Sequence, residues 1–243
     1  MRIIKVDAID STNSLARDLF REKTVEEPFC VVANEQLKGR GQRGSSWNSK
    51  PGQNLTFSVL LPKPQVSVIH QFLLSAAVAT SIISVLQRLN IPKLKLKWPN
   101  DIMSANYKIG GILIENIVSE GVLSASILGV GLNVNQTDFP GLPAASSLKL
   151  ATGQMFSTDE LLEKILNKIE ADFKEISDES AEGIMEAYKK KLFRKGMVST
   201  FQKRDMSFFT GIIEDVTLSG LLVVRTESND RQEFDLKEVR LCY

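Results

Sequence analysis

An α+β fold, a mixed β-sheet packed against helices and followed by a small all-β unit, is the architecture this 243-residue chain predicts. Three observations carry that expectation. Strand-like runs open the chain and resume after one long helical stretch, two amphipathic helical patterns follow, and the C-terminal residues return to short β runs with close turns. With 43% hydrophobic residues the chain can bury a sizeable core without disulfides or metals.

Residues 3–9 read as a strand, after which Asp10-Ser11-Thr12-Asn13 offers N-caps for a helix carrying Leu15, Ala16, Leu19 and Phe20 at helical spacing. A strand over 29–33, a segment rich in Gly and basic residues over 36–53, and a strand over 55–61 come next. Between Lys63 and Arg88 lie 24 residues without Lys, Arg, Asp or Glu, long enough to raise the possibility of a membrane span. Gln65, His70, Gln71, Thr80, Ser81 and Gln87 interrupt it, so it reads as a core helix of about 20 residues whose small faces let a sheet pack closely. Residues 94–98 form a further strand, and 109–117 with 122–134 form a hairpin turning at Ser119-Glu120-Gly121. Pro140 and Pro143 mark a loop. Leu161, Leu162, Ile165, Leu166, Ile169 and Phe173 then make a helical stripe, and a second helix covers 179–192. Short strands at 198–202, 208–216, 221–226 and 232–236 suggest a small SH3-like barrel, with a boundary near Arg194 and domains of 1–194 and 195–243.

Thirty Lys and Arg against 29 Asp and Glu leave a net charge of +1, which argues against a general nucleic-acid binder or a polybasic membrane module. Cys30 and Cys242 make no metal or disulfide spacing and read as cytosolic thiols. The chain opens directly on a strand, with no apolar leader segment, and is expected in the cytoplasm. With His70 as its sole histidine it has no two-histidine zinc site and no kinase-type H-R-D loop. Chemistry must run on Lys, Arg, Asp, Asn and backbone amides, and His70 reads as structural.

Gly39-Arg40-Gly41-Gln42-Arg43-Gly44 matches G-x-G-x-x-G, but a strand rather than a helix follows, so a dinucleotide site is not formed. A phosphate-binding P-loop fails too, because Ser45-Ser46 stands where Lys-Ser/Thr is required. What remains is a flexible glycine loop carrying Lys38, Arg40, Arg43 and Lys50, which suits an anion; a plain solvated basic loop is the alternative. Lys97-Trp98-Pro99-Asn100-Asp101 has the chemistry of a tight turn presenting two polar side chains. Lys108 with Gly110 and Gly111 opens a hairpin strand, and Gly129-Val130-Gly131-Leu132-Asn133 places two glycines inside a strand, where a ligand or second backbone often lies close. Singly these are an Asx turn, a surface lysine and a bulge. Together they describe a glycine-lined slot with an Asn-Asp pair, a lysine and two arginines.

This set, with Ser11-Thr12-Asn13, Gln36 and Trp47, resembles biotin protein ligase in order and spacing along essentially the whole chain. The resemblance implies that biotin and MgATP give biotinyl-5′-adenylate and pyrophosphate, and that the adenylate then acylates one lysine of a biotin carboxyl-carrier domain. It assigns biotin binding to Ser11, Thr12, Asn13, Gln36, Gly39, Arg40, Gly41, Gln42, Lys108, Gly111 and Gly129, and nucleotide binding to Arg43, Trp47, Asn100, Gly131 and Asn133. In that reading Lys108 and Arg40 stabilise charge, Asp101 receives or orients the acceptor lysine, Mg2+ accompanies ATP, and no protein ligand to metal is named. Many family members have arginine where this chain has Gln42, which puts any charge-based role there in doubt. No helix-turn-helix precedes Ser11, so promoter binding is not expected. The rivals are a lipoate ligase or octanoyl transferase, whose glycine-rich motif and histidine-aspartate pair are not found, and a non-catalytic biotin or nucleotide sensor. Which carrier is modified, and whether two copies pair through a sheet edge, stay open. The loop over 38–52 has few apolar anchors and is expected to order only around ligand.

Overall fold

The computed structural model describes residues 1–22 and 25–243, with Arg43 described by its backbone alone. Seven strands, β1 (Arg2–Ile9), β2 (Phe29–Gln36), β3 (Leu55–Pro62), β4 (Leu94–Lys97), β5 (Asp101–Ser104), β6 (Tyr107–Ser119) and β7 (Val122–Leu132), form one sheet in the order β1-β2-β3-β7-β6-β5-β4. Only β1 and β2 pair in parallel, and helix α1 (Thr12–Glu22) makes the crossover that a parallel pair requires. The other neighbours are antiparallel, so the sheet is mixed as expected. The β6–β7 hairpin turns through Glu120 (φ 52°) and Gly121 (φ 79°), the two left-handed residues of a twist-compatible tight turn.

Both faces of the sheet are covered, and alternation along its strands sorts the residues. Cys30, Phe57 and Val59 face the large core, whereas Phe29, Val31, Leu60 and Ile127 pack with Ala16 of α1. Helix α2 (Phe72–Arg88) fills the large core: eleven of its residues, from Leu73 to Leu86, are buried. It lies against the sheet on one side and against α4 (Thr158–Phe173) and α5 (Ala181–Lys190) on the other. Two of its hydroxyls bond back to the helix: Thr80 and Ser81 donate to Ala76 and Ala77 carbonyls, and Ser81 also reaches Asp172. Among the described residues no helix is long and apolar enough to cross a membrane.

Three expectations change. The uncharged stretch gives a 17-residue helix rather than a longer one, because residues 68–70 form a separate 3-10 turn in which Asp178 takes His70 Nδ1 at 3.0 Å and the amide of Ser67. Strand β5 follows the Pro99-Asn100 turn directly, too short at four residues to show a period of its own. The short helix α3 (Leu148–Thr152), capped by Ser147 and ended by Gly153 at φ 75°, is likewise below the length at which periodicity can be read.

Strands β8 (Val198–Lys203), β9 (Phe208–Val216), β10 (Leu222–Thr226), β11 (Arg231–Phe234) and β12 (Val239–Cys242) form a second, antiparallel sheet in the order β11-β10-β9-β8-β12. It is consistent with the SH3-like expectation but not hydrogen-bonded into a closed barrel: β11 and β12, four residues each, remain its two edges. Its core stacks Phe209 between Phe201 and Phe234 at 5.2 and 5.5 Å.

The two sheets lock together at Gly220, whose carbonyl accepts from Trp98 Nε1 at 2.9 Å while its Cα lies on the ring of Phe72. Gly220 has φ 93°, and an added Cβ would sit 2.5 Å from Phe72 Cγ. Gly220→Ala therefore meets both left-handed strain and a steric clash, and we expect it to cost about 2–4 kcal/mol of stability in a denaturant titration. A loss below about 0.5 kcal/mol, the level of an ordinary surface change, would show that this contact does not hold the sheets.

Candidate active site

A slot of about 360 Å³ opens where the glycine loop, the β6–β7 hairpin, the Trp98-Pro99-Asn100 turn and β12 converge. Its floor contains three glycines. Gly111 pairs with Gly131, and Gly129 with Leu113 and Ser58, so the three glycines lie side by side on one face of β6 and β7. Two of them leave room that other groups take: a Cβ on Gly129 would lie 2.3 Å from Asn13 Oδ1, and one on Gly131 would lie 2.3 Å from Trp47 Cε2.

At one end the groups are neutral and tied to one another. Thr12 donates its amide (2.9 Å) and hydroxyl (3.1 Å) to Gln36 Oε1. Ser58 Oγ sits 2.7 Å from Thr12 Oγ1 and 2.6 Å from Asn13 Oδ1, with one proton to give to either. Asn13 Nδ2 donates to Glu115 Oε2 at 2.7 Å, which fixes its amide orientation. Ser11, Thr12 and Asn13 are all at least 96% buried, so these bonds are shielded from bulk water. Helix α1 delivers them because its first turn lies over β3 and β7.

At the other end the groups are charged. Asp101, only 14% exposed, lies between Lys108 Nζ (2.6 Å) and Lys97 Nζ (3.3 Å). Register places Lys97 opposite Asp101, and Gly111 opposite Asp101 on the other side. The intervening turn, with a cis Trp98–Pro99 peptide, is held by Asn100, which donates Nδ2 to the Ile112 carbonyl at 2.7 Å and accepts from the Ile112 amide at 3.0 Å. Burial first, then the charge of Asp101, raises the phenol pKa of Tyr188 behind this turn.

The glycine loop bonds to itself through its backbone. Gly41 donates to Ser45 (2.7 Å) and Trp47 to Gly39 (2.8 Å) through their backbones, closing a narrow turn around the 3-10 residues Gln42–Gly44. The glycines allow the two arms to touch: a Cβ on Gly39 would lie 2.2 Å from the Trp47 carbonyl oxygen. Trp47 supplies the apolar anchor the loop was expected to lack, lying across Gly111 and Gly131 with Lys108 Nζ 5.5 Å from its ring centre. Its Nε1 is buried without a hydrogen-bond partner among the described residues. The cations read as anion ligands already have acidic neighbours: Lys38 pairs with Asp10, Lys50 with Asp138, and Arg40 with Glu115, while Arg40 also donates to Ser14. The side chain of Arg43 lies outside the described residues.

Of the residues read from sequence, Ser11, Thr12, Asn13, Gln36, Arg40, Gly41, Gln42, Trp47, Asn100, Asp101, Lys108, Gly111, Gly129 and Gly131 line the slot. Two do not. Gly39 serves the loop's own closure, and Asn133 donates Nδ2 to the Ser146 carbonyl at 2.9 Å in a buried position, pinning the segment after the proline loop. The sequence reading missed Ser58 and Glu115, although a serine amid the apolar β3 run and a carboxylate inside a β-strand are visible departures from pattern. It also missed Val239, Arg240 and Leu241 of β12, for which no local signal exists. Among the described residues no group of three or more His, Cys, Asp or Glu could hold a metal ion.

Glu115 binds Arg17 at 2.8 Å as well as Asn13 and Arg40, so it joins α1, β6 and the loop. Glu115→Gln should free Arg40 and loosen the loop, and we expect trypsin to cut after Arg40 several-fold faster than in the parent chain. Equal cleavage rates would show that the loop is held by Trp47 and its backbone bonds alone.

Residues 6–133 match the Biotin/lipoate A/B protein ligase family. The bifunctional ligase/repressor BirA of Bacillus subtilis is 30% identical over 168 residues, covering 68% of this chain and 51% of that protein. The biotin--[acetyl-CoA-carboxylase] ligase of Paracoccus denitrificans is 30% identical over 161 residues, covering 63% and 65%. This chain thus spans about half the length of the ligase/repressors it matches. The solved biotin protein ligase of Aquifex aeolicus in complex with biotin and ATP superposes with a TM-score of 0.80 at 27% identity, covering 99% of this chain and 98% of that one. With more than half its length matched and the slot motifs within that match, the chain belongs to the biotin/lipoate A/B protein ligase family.

Proposed function

We propose that this chain is a biotin protein ligase: it joins biotin and ATP into biotinyl-5′-adenylate with release of pyrophosphate, and passes the biotinyl group to a lysine of a biotin carboxyl-carrier domain. The observation that carries the reading is a single slot with a neutral hydrogen-bonding end at Thr12, Asn13 and Gln36 and a charged end at Asp101 and Lys108. A neutral ureido ring requires short donors and acceptors, which Thr12, Asn13 and Gln36 bring to the slot, while an apolar chain can run past Leu113 and Trp47 towards Lys108. The similar Aquifex aeolicus protein, described with biotin and ATP bound, supports the same substrates. A lipoyl group, with no ureido, would gain no hydrogen bonds at the neutral end.

In the first step a carboxylate oxygen of biotin attacks the α-phosphorus of ATP, forming a C–O–P anhydride as the bond to pyrophosphate breaks. Lys108 would exchange Asp101 for the charge on the reacting oxygens, and Arg40 would leave Glu115 for phosphate. Trp47 and Asn100 would border the nucleotide, with Ser11, Gly41, Gln42 and Gly111 completing the walls. Mg2+ in this reading belongs to the nucleotide substrate; the donor set makes no resident metal site among the described residues. In the second step the acceptor Nζ attacks the acyl carbon, the C–N bond forms, AMP leaves, and the proton from nitrogen passes to Asp101. The reading assigns this chemistry to residues 1–194, with 195–243 closing one wall through β12. It also sets the reaction in the cytoplasm alongside ATP and the carboxylases.

Incubation with biotin, ATP and a carrier domain should release pyrophosphate and add the biotinyl mass to one carrier lysine; lipoate in place of biotin should not. Lys108→Ala should slow pyrophosphate release by about 10²- to 10³-fold, the usual effect of removing one oxyanion-type donor. Release at the parental rate would remove that role. Asp101→Asn should slow transfer from preformed adenylate more than it slows adenylate formation, and the defect should shrink as pH rises and more acceptor lysine is free amine. A defect confined to adenylate formation would instead place Asp101 with the nucleotide.

A further inference from the structure

The charged end of the slot contains a second lysine to which the reaction above assigns nothing. Lys97 and Lys108 both hold Asp101, but they are differently placed. Lys108 is about a third exposed and lies at the edge of the glycine strip, where a ligand's acidic end would arrive. Lys97 is 18% exposed, closes the β4–β5 hairpin opposite Asp101, and rests 4.9 Å from the ring centre of Tyr243. Tyr243 is itself held edge-on to Phe193 at 5.2 Å.

One ammonium cannot serve two carboxylates at full strength. When Lys108 turns to the ligand, Asp101 loses its shortest contact in a site where it is mostly buried, and a buried charge is costly unless it keeps a partner. Resting on this assignment of the slot, we propose that Lys97 is a positioning residue for the transfer step: it holds Asp101 aimed into the slot after Lys108 has changed partner. Its positive charge has a second effect in the same direction. A cation near the reacting centre disfavours an incoming ammonium over a neutral amine, so the acceptor lysine loses its proton at lower pH than it would in water. The other titratable groups near Asp101 are the Tyr188 phenol from α5, with its hydroxyl 3.4 Å from the Pro99 carbonyl, and Tyr243, beside which Arg240 of β12 lines the slot. Burial and then Asp101 raise the Tyr243 pKa, so both phenols stay neutral in the working range, and Lys97 is the cation that touches Asp101 besides Lys108.

The covalent balance is that of transfer: the acceptor nitrogen bonds to the acyl carbon, the acyl–oxygen bond to AMP breaks with its electron pair, and one proton moves from nitrogen to Asp101. Lys97 neither gains nor loses a bond.

The test is single-turnover transfer from preformed biotinyl-5′-AMP to a carrier domain across a pH series, with pyrophosphate release measured separately. Lys97→Met should slow transfer at pH 7 by about tenfold more than it slows pyrophosphate release, and should move the rising limb of the transfer profile up by about one pH unit. Lys97→Arg should return the limb towards the parental position. Tyr243→Leu, which leaves the charge but removes the ring it rests on, should move the limb the same way by less. A Lys97→Met chain that transfers slowly with an unmoved limb, or a Lys97→Arg chain indistinguishable from it, overturns the role. Failure of the parent chain to release pyrophosphate from ATP and biotin would overturn the ligase reading itself.

Discussion

The slot depends on three glycines on one face of β6 and β7. Gly111, Gly129 and Gly131 lie next to one another across the hairpin, and the space they vacate is taken by Asn13 from α1 and Trp47 from the loop. A methyl group at either of the last two positions would meet those side chains within 2.3 Å, a distance no packing adjustment of the sheet backbone can absorb. Three elements from distant parts of the chain thus reach a common floor. Glycine inside a strand is ordinarily destabilising, and the neighbouring Phe57, Ile112, Leu128 and Val130, all buried, provide the packing that the strip does not.

The second sheet is part of the same construction. Trp98, adjacent to Lys97 and Asp101, bonds to Gly220, so the turn that presents the charged pair is braced by the C-terminal unit. Backbone bonds between Leu96 and residues 191 and 193 extend the brace along β4. From there β12 returns to line the slot with Val239 to Leu241. A displacement of the C-terminal unit would move one wall and the turn together, which couples the placement of Asp101 to packing that lies outside the larger sheet.

The chemistry of the site was legible wherever it is carried by contiguous motifs. Ser11-Thr12-Asn13, the glycine loop, Lys97 to Asp101 and the paired glycines of β7 each combine residue types that a bare strand or helix has no use for. Gly39 shows the limit of that logic: its glycine is required, but by the Trp47 carbonyl rather than by a ligand. Asn133 shows another, since an asparagine ending a strand near a slot can be consumed by a neighbouring carbonyl. Ser58 and Glu115 acquire their meaning from Asn13, which is 45 and 102 residues away in the chain. No local pattern contains such a pairing.

Periodicity and turn chemistry, which are local, were sufficient for most of the strands, the long apolar helix, the tight hairpin and the all-β C-terminal unit, because each of these follows from the spacing of apolar residues within a few turns or pleats. Residue types likewise marked a basic glycine loop and an Asn-Asp turn as sites of chemistry. Tertiary structure alone decided how the loop's cations are paired, that Trp47 lies on the glycine strip, that Asp101 stands between two lysines, and that the last strand forms a wall of the slot. The physical reason is that charge pairing, burial and close packing are set by distances in space, and the strand order that creates those distances brings together segments whose separation along the chain carries no record of the contact.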